Sequence, residues 1–594
     1  MSTVILTGPP VPGSPLEDEL RSLGFDVRPA AGPEDTAAVL AGVPTGRRVA
    51  VVDSAFVGHP HALRLALTDP RFEACAVTGA LAVLPEGRAA LDRAAGRVVA
   101  GGGDAEPYAD RLAAAVEAAG TPVRRPELGT LVAAVPANGA ERAEALAAVA
   151  AVDDEAVRLR TAVKSRDGFF TTFFISPYSR YIARWCARRG LTPNQVTTAS
   201  LLTALVAAGC AATGERWGYV AAGVLLLLSF VLDCTDGQLA RYSLQYSTLG
   251  AWLDATFDRA KEYAFYAGLA LGAARDGDDV WGLALGAMIL MTCRHVVDFS
   301  FNEANHDATA NTSPTAALSD RLDSVGWTVW VRRMIILPIG ERWAMIAVLT
   351  AFTTPRIVFY ALLIGCAFGA LYTTAGRVLR SLTRKATRTD RAALALADLA
   401  DSGVLAWTGS PRPGKRPDRA AVWLAGGAAL LMAGAAATRE YGDPWLIATA
   451  VVYVLASAVA VARPLKGPLD WLIPPFFRFA EYVTVLALAA RADVPGALPA
   501  AFGLVAAVAY HHYDTVYRIR GGSDAPPHWL VRTTGGHEGR VLLTVVLAAV
   551  LARDAFPVAL TATAVFVALV VLVESIRFWV STGAPAVHDE GEPA

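Results

Sequence analysis

Four aspartates, Asp233, Asp236, Asp254 and Asp258, fall within one short stretch of an otherwise apolar part of the chain. Asp233 and Asp236 are three residues apart and share a helix face. Gly250, Asp254 and Asp258 form a second stripe at spacing four. The polar run from Tyr242 to Ser247 between them reads as a turn. Two antiparallel helices joined there aim all four carboxylates into one cleft. Like charges so close together, beside lipid, are costly unless paired or coordinated. Arg241 and Arg259 cannot neutralise four carboxylates at once. Hard divalent cations can, because Mg2+ prefers carboxylate oxygens and keeps coordination positions for phosphate. Two ions would clamp a phosphoryl group during displacement. Gly237 and Gly250 leave space where a Cβ would block a nucleotide. A polar helix pair held by ion pairs, or a transporter's proton relay, has the same spacing, so the residues alone leave those readings open.

The surrounding elements read as membrane spans. Of 594 residues, 54% are hydrophobic, and the mean hydropathy is +0.39. The excess lies in Leu/Val/Ala runs after about residue 195. We place spans near 195–213, 217–240, 248–273, 280–300, 335–353 and 356–376, and a second set near 420–437, 444–462, 473–490, 496–515, 540–552 and 556–578. The expected fold is a polytopic all-α membrane protein of about 12 spans, six of them in a core at 165–380, preceded by an α/β domain at 1–160. Residues 381–419 form a basic linker, 420–582 a second membrane domain, and 583–594 an acidic tail. Arg377, Arg380, Arg384, Lys385, Arg388 and Arg391 follow the sixth span, and the loops on the other side carry few bases. Excess Lys/Arg marks the cytoplasmic side, so both termini and the carboxylate cleft are expected there, in a multi-pass cell-membrane protein.

Other features narrow the function. The net charge of −1 argues against a nucleic-acid binder. The six cysteines include no CxxC pair, so neither a disulfide framework nor a zinc site is expected. Residues 1–10 lack the basic and apolar regions of a signal peptide. Phe169, Phe170, Phe173, Phe174 and Ile175, followed by Arg180, Arg184, Arg188 and Arg189, suggest a helix lying on the membrane surface. Residues 1–155 alternate short apolar runs such as Val4–Leu6 and Val49–Val52 with Ala-rich stretches, an α/β pattern. Residues 139–162 read as helix.

The run Asp233-x2-Asp236-Gly237-x2-Ala240-Arg241-x8-Gly250-x3-Asp254-x3-Asp258 resembles the complete signature of the CDP-alcohol phosphotransferase (phosphatidyltransferase) family, across about residues 165–380. The resemblance implies that Asp233, Asp236, Asp254 and Asp258 bind two Mg2+ or Mn2+ ions, and that Asp258 is also the general base. It implies that Gly237, Ala240, Arg241 and Gly250 contact the CDP moiety. The implied reaction takes a phosphoalcohol from a CDP-alcohol, such as CDP-diacylglycerol, to an acceptor hydroxyl and releases CMP, with membrane lipid as substrate or product. It also implies a homodimer through the spans. The rival reading is a non-catalytic lipid-binding or transport protein with a relic phosphotransferase half; the intact signature argues against it.

Arg166-Asp167-Gly168-Phe169, Ser176–Arg180 and Thr192–Thr197 resemble the lead-in of prokaryotic members that accept inositol phosphate, a polyol phosphate, some of them fused to an upstream cytidylyltransferase. An acceptor phosphate needs cations. Arg294, Arg333 and Arg377 are the candidates, although Arg333 and Arg377 also suit an ordinary positive-inside role. In the first domain, Gly8-Pro9-Pro10-Val11-Pro12-Gly13 follows the first strand. Prolines remove the N–H donors a phosphate cradle needs. The domain therefore reads as a degenerate nucleotidyltransferase or an unrelated domain, without catalysis. The second membrane domain lacks the aspartates. It carries Asp470, Arg478, Glu481, His511, His512, Asp514, Arg518 and Arg520, and a polar loop at Gly535–Arg540. It resembles uncharacterised C-terminal extensions of actinobacterial family members. Its ionisable groups suit a second lipid-handling site or plain helix pairing. Arg478 and Glu481 are spaced to pair, and the adjacent His511 and His512 face different ways.

Overall fold

The computed structural model describes residues 2–101, 106–164, 167–306, 308, 336–383, 386–409 and 420–581. Arg333 and the acidic tail lie outside them.

The first domain is an α/β layer, as its pattern requires. Strands β1 (Ser2–Thr7), β2 (Phe25–Ala30), β3 (Val49–Asp53), β5 (Ala74–Val77), β6 (Ala80–Val83) and β7 (Val123–Arg124) form one sheet in the order β2-β1-β3-β6-β5-β7. β4 (Val57–Gly58) and β8 (Ala133–Ala134) pair separately. β1 runs parallel to β2 and β3, whereas β6 is antiparallel to both its neighbours. Successive side chains alternate between two cores: Ile5, Val49 and Val51 on one face, Val4, Ala50 and Val52 on the other. The loop after β1 is closed rather than cradle-like. Gly8 donates its N–H to Ala30, and the Ser54 hydroxyl holds the Pro9 carbonyl at 2.8 Å. Burial raises the Asp53 and Asp110 carboxyls above their ordinary range, and they accept backbone N–H groups from Ala55 and Gly79. The helix expected over 139–162 is two, Gly139–Ala150 and Asp154–Thr161, because Asp153 caps the second by accepting the Ala156 N–H.

The membrane part follows as α1 (Ser176–Arg188), α2 (Pro193–Ala211), α3 (Arg216–Ser243), α4 (Thr248–Arg275), α5 (Trp281–Asn305), α6 (Ile339–Phe352) and α7 (Pro355–Thr383). Then come α8 (Asp390–Ala400), α9 (Val404–Gly409), α10 (Ala421–Thr438), α11 (Pro444–Val461), α12 (Ile473–Ala492), α13 (Ala497–Arg520), α14 (His528–Thr534), α15 (Gly536–Val550) and α16 (Phe556–Ser581). Each expected span is a helix, and among the described residues 7 helices are long and apolar enough to cross a membrane. Four of the other five, all but α2, differ for physical reasons. α6 and α15 have 14 and 15 residues, short of the roughly 20 a bilayer core needs. α4 and α13 carry the charged clusters within their length. Gly535–Arg540, expected as a loop, is helical from Gly536. Gly535 and Gly536 have φ of 87° and 62°, a left-handed conformation that suits glycine.

The first domain grips the α3–α4 turn. The Arg158 guanidinium lies 3.5 Å from the Tyr242 ring and donates to the Tyr242 carbonyl at 2.7 Å. Arg71 stacks over Tyr246 at 3.9 Å, and Glu155 accepts from the Tyr242 hydroxyl and from Arg188.

Nearby, His61 is buried with neither ring nitrogen hydrogen-bonded among the described residues. Burial, and then the charges of Arg158 and Arg64, push its pKa down from 6.5 to about 4. The unfolded chain therefore binds a proton between those values that the folded domain refuses. Stability is full above pH 6.5 and falls as the pH drops towards 4, by about 3 kcal/mol for one such group. Thermal melts across that range should show the fall, and His61→Asn should flatten it; an unchanged slope in the variant would contradict this.

Candidate active site

The site is built where α3 ends and α4 begins. α3 stops because Leu244 takes a left-handed conformation, with φ of 52°, and α4 starts on the Ser247 side chain, which caps the Gly250 N–H at 2.9 Å. The turn is therefore 244–247, shorter than the expected polar run, because Tyr242 and Ser243 stay in α3. This antiparallel return brings Asp233, Asp236 and Asp254 together: one carboxylate oxygen of each lies within 4.8 Å of the others. Asp236 is buried, Asp233 half-buried and Asp254 exposed. Asp236 Oδ2 is buried with no hydrogen-bond partner among the described residues. Three converging hard oxygen donors, one with an unused buried lone pair, fit a Mg2+ or Mn2+ ion. Asp258, one turn further along α4, lies outside that trio.

One residue here was not singled out in the sequence. Lys261 is fully buried. Its ammonium donates to Asp233 and lies 3.4 Å from Asp258 Oδ1. It thus joins Asp233 of α3 to Asp258 of α4. The signal was its position: a lysine three residues after Asp258 shares that helix face. Behind it, Glu262 receives Arg259 at 2.8 Å and Arg342 of α6 at 3.2 Å.

The four residues expected at the CDP moiety line this region. The Arg241 side chain donates to the Ala162 carbonyl at 2.6 Å, which ties the signature to the end of the first domain. A Cβ on Gly237 would meet the Arg241 guanidinium at 3.5 Å, an ordinary contact. On Gly250 it would come within 2.7 Å of Asn194 Oδ1; glycine here lets the start of α2 approach α4. Ala240 sits on α3 beside Arg241.

The acceptor candidates separate. Arg377 is paired with Asp298. Arg294 is buried, donates once to the Ile336 carbonyl, and keeps Nε and Nη1 without partners among the described residues. Around the cleft, α1 exposes Phe173 and Phe174 just ahead of it and Tyr178, Tyr181 and Trp185 along it, with Arg180 and Arg184 against the Tyr181 ring.

Comparison with known proteins bears on this geometry. Residues 190–371 match the family described as CDP-alcohol phosphatidyltransferase. Residues 390–594 match a family of unknown function, DUF5941. A bifunctional IPC transferase and DIPP synthase of Aquifex aeolicus is 32% identical over 114 residues, 19% of this chain and 26% of that protein. An archaetidylinositol phosphate synthase of Pyrococcus horikoshii is 31% identical over 115 residues, 19% of this chain and 58% of its own length. A phosphatidylinositol phosphate synthase of Mycolicibacterium smegmatis is 35% identical over 123 residues, 20% of this chain and 53% of its own length. The matched stretches thus span between 26% and 58% of these relatives.

Lys261→Met keeps the apolar stem and removes the charge, leaving Asp233 and Asp258 without their shared cation. Breaking a buried pair this way costs about 3 kcal/mol. The melting temperature of the metal-free protein should fall, and an unchanged value would show that the ammonium is not what holds the two carboxylates.

Proposed function

With residues 190–371 forming a CDP-alcohol phosphatidyltransferase domain of phospholipid synthesis as premise, we propose that this multi-pass membrane protein transfers the phosphatidyl group of a CDP-alcohol, CDP-diacylglycerol in the first instance, to a hydroxyl of a polyol phosphate such as inositol phosphate. The observation that carries this is the convergence of Asp233, Asp236 and Asp254 within 4.8 Å, on residues that carry the whole signature.

The chemistry divides among named groups. Asp233, Asp236 and Asp254, with Asp258, would hold one or two divalent ions. When bound, these neutralise charge on the pyrophosphate and make CMP a better leaving group. Arg241, Gly237, Ala240 and Gly250 receive the CDP moiety. Asp258 takes the proton from the acceptor hydroxyl. That oxygen bonds to the phosphorus carrying the lipid alcohol, and the bond from this phosphorus to the bridging oxygen breaks, so the electron pair leaves with CMP. The step is a displacement whose demands are positioning and charge stabilisation. Lys261 fixes where the Asp258 carboxylate lies.

The polyol phosphate is supported by the inositol phosphate synthases among the relatives and by Arg294, whose spare N–H groups are a phosphate's natural partners. The exposed aromatics and arginines of α1 suit the lipid–water interface. The basic segments support a cytoplasmic position for the cleft and both termini. The closed loop after β1 supports a first domain without catalysis of its own, gripping the turn beneath the cleft instead.

Purified full-length protein with Mg2+ should release CMP from CDP-diacylglycerol when inositol phosphate is supplied, and less with glycerol phosphate, inositol or serine. EDTA should stop release and Mg2+ or Mn2+ restore it. Asp258→Asn should lower turnover by roughly 10²–10⁴-fold. Release indifferent to chelation, or retained by Asp258→Asn, would overturn the roles assigned.

A further inference from the structure

The second membrane half repeats the architecture of the first. In the first, the lead-in helix α1 packs on α3, α2 packs on α3 and α4, α3 on α6, α4 on α5, and α5 on α7. In the second, α9 packs on α11, α10 on α11 and α12, α11 on α15, α12 on α13, and α13 on α16. These six pairings correspond one to one with each helix replaced by its counterpart in order.

Sequence echoes fall at matching places. Ala-Ala-Thr-x-Glu closes the first span of each half, at 211–215 and 436–440. Arg-x2-Glu-Tyr lies on the third, at 259–263 and 478–482, and His-x2-Asp on the fourth, at 295–298 and 511–514. The contacts repeat too. Glu262 takes Arg259 and Arg342 from the fifth span; Glu481 takes Arg478 at 2.8 Å and Arg540, again from the fifth span, at 2.5 Å. Glu341, beside Arg342, accepts the N–H of Phe170 in the lead-in at 3.2 Å, and Glu538, near Arg540, accepts those of Gly403 and Ala406 at 3.1 Å.

The carboxylates do not repeat. In the register set by Arg259 and Arg478, Ile473 and Phe477 stand where the first half has Asp254 and Asp258, and Leu469 where it has Gly250. α11, the counterpart of α3, carries no Asp or Glu. The polar groups of the second half close on one another instead: Asp401 bonds His511 at 3.1 Å, accepts from Arg540 at 2.7 Å and forms an ion pair with Arg478 at 2.9 Å.

The halves meet as related copies would. α5 packs on α12 and α4 on α13, which are reciprocal pairs, and α5 also packs on its own counterpart α13. Aromatic side chains of the second half press on the helices of the site. The Tyr513 hydroxyl bonds His295, and its ring lies 5.4 Å from the Arg259 guanidinium. Trp579 stacks on Trp252, two residues before Asp254, at 6.0 Å, and its indole N–H is held by Asp514 at 2.8 Å.

We infer that residues 401–581 are a second copy of the phosphotransferase fold that has lost its metal carboxylates and serves as a built-in partner, covering the α4–α5 face and bracing α4 through Tyr513 and Trp579. The loss of carboxylates has meaning only if the first half binds metal, so the inference rests on the function proposed above. Tyr513 and Trp579 are positioning residues, which act on Asp254 and Asp258 through α4.

Mn2+ titration of the full chain in lipid nanodiscs, with free ion read by EPR, tests this. Asp233→Asn combined with Asp236→Asn should abolish tight Mn2+ binding altogether; a tight site that survives would give the second half a metal of its own and overturn its silence. Tyr513→Phe combined with Trp579→Phe should weaken Mn2+ about tenfold, within the usual range for coupling between packed elements, while the melting temperature changes little. Unchanged Mn2+ affinity in that variant would overturn the bracing role alone. No Mn2+ binding by the wild type would overturn the first-half site and this inference together.

Discussion

A carboxylate among apolar helices must have a cation or N–H donors within reach, and this constraint organises much of the membrane part of the chain. Water is not there to solvate the charge, and the cost of leaving it bare is several kcal/mol. Many acids of the spans face a base, Glu262 with Arg259 and Arg342, Asp298 with Arg377, Glu481 with Arg478 and Arg540, Asp514 with Arg518, and Glu341 and Glu538 accept backbone N–H groups instead. The pairs Glu262–Arg342, Asp298–Arg377 and Glu481–Arg540 join helices distant in sequence and so fix which face of each points inward. The cleft between α3 and α4 departs from the rule. Asp233 and Asp258 share Lys261, yet the convergent Asp236 keeps a buried oxygen without a hydrogen-bond partner among the described residues. Under the function proposed above, that unused oxygen is where a divalent cation would be held.

Position follows from the same economy of contacts. The two helices that carry the aspartates are held at three points. The first domain grips their connecting turn through Arg158 and Arg71. The Glu262 pairs fix the middle of α4 to α6. The second membrane half presses on α4 from the far side through aromatic contacts. Displacement at phosphorus depends on placement within fractions of an ångström, and a stiff frame around an open, polar cleft supplies it. The exposed aromatic face of α1 lies beside that frame, where a lipid-borne substrate would approach.

The aspartate spacing was readable because a three- and four-residue period on adjacent helices has few structural meanings among apolar residues. The spans were readable for the same reason, since long Leu/Val/Ala runs leave few alternatives to helix. Span status was harder where charges interrupt α4 and α13, because a hydropathy pattern cannot tell a buried ion pair from a solvated one. Lys261 escaped notice because its neighbours Arg259 and Glu262 look like one ordinary surface charge cluster; only the fold shows that it points between Asp233 and Asp258. The kinship of the two halves escaped for another reason. Its echoes are motifs of two to four residues, separated by loops of different length and diluted by interchangeable Ala, Leu and Val. Helix neighbours and ion pairs bring them into register. The Gly535–Arg540 run was misread as loop because glycine and charge together signal a turn, whereas here two left-handed glycines start a helix whose charges are buried against partners.

The most direct test of the account is to locate the ion. Anomalous diffraction from crystals of the full chain grown with Mn2+ and CDP should place the metal between Asp233, Asp236 and Asp254, at the junction of α3 and α4, with no corresponding peak between α11 and α12. An empty α3–α4 cleft in crystals that hold Mn2+ elsewhere would contradict the central claim, that these carboxylates are assembled to bind metal for phosphatidyl transfer.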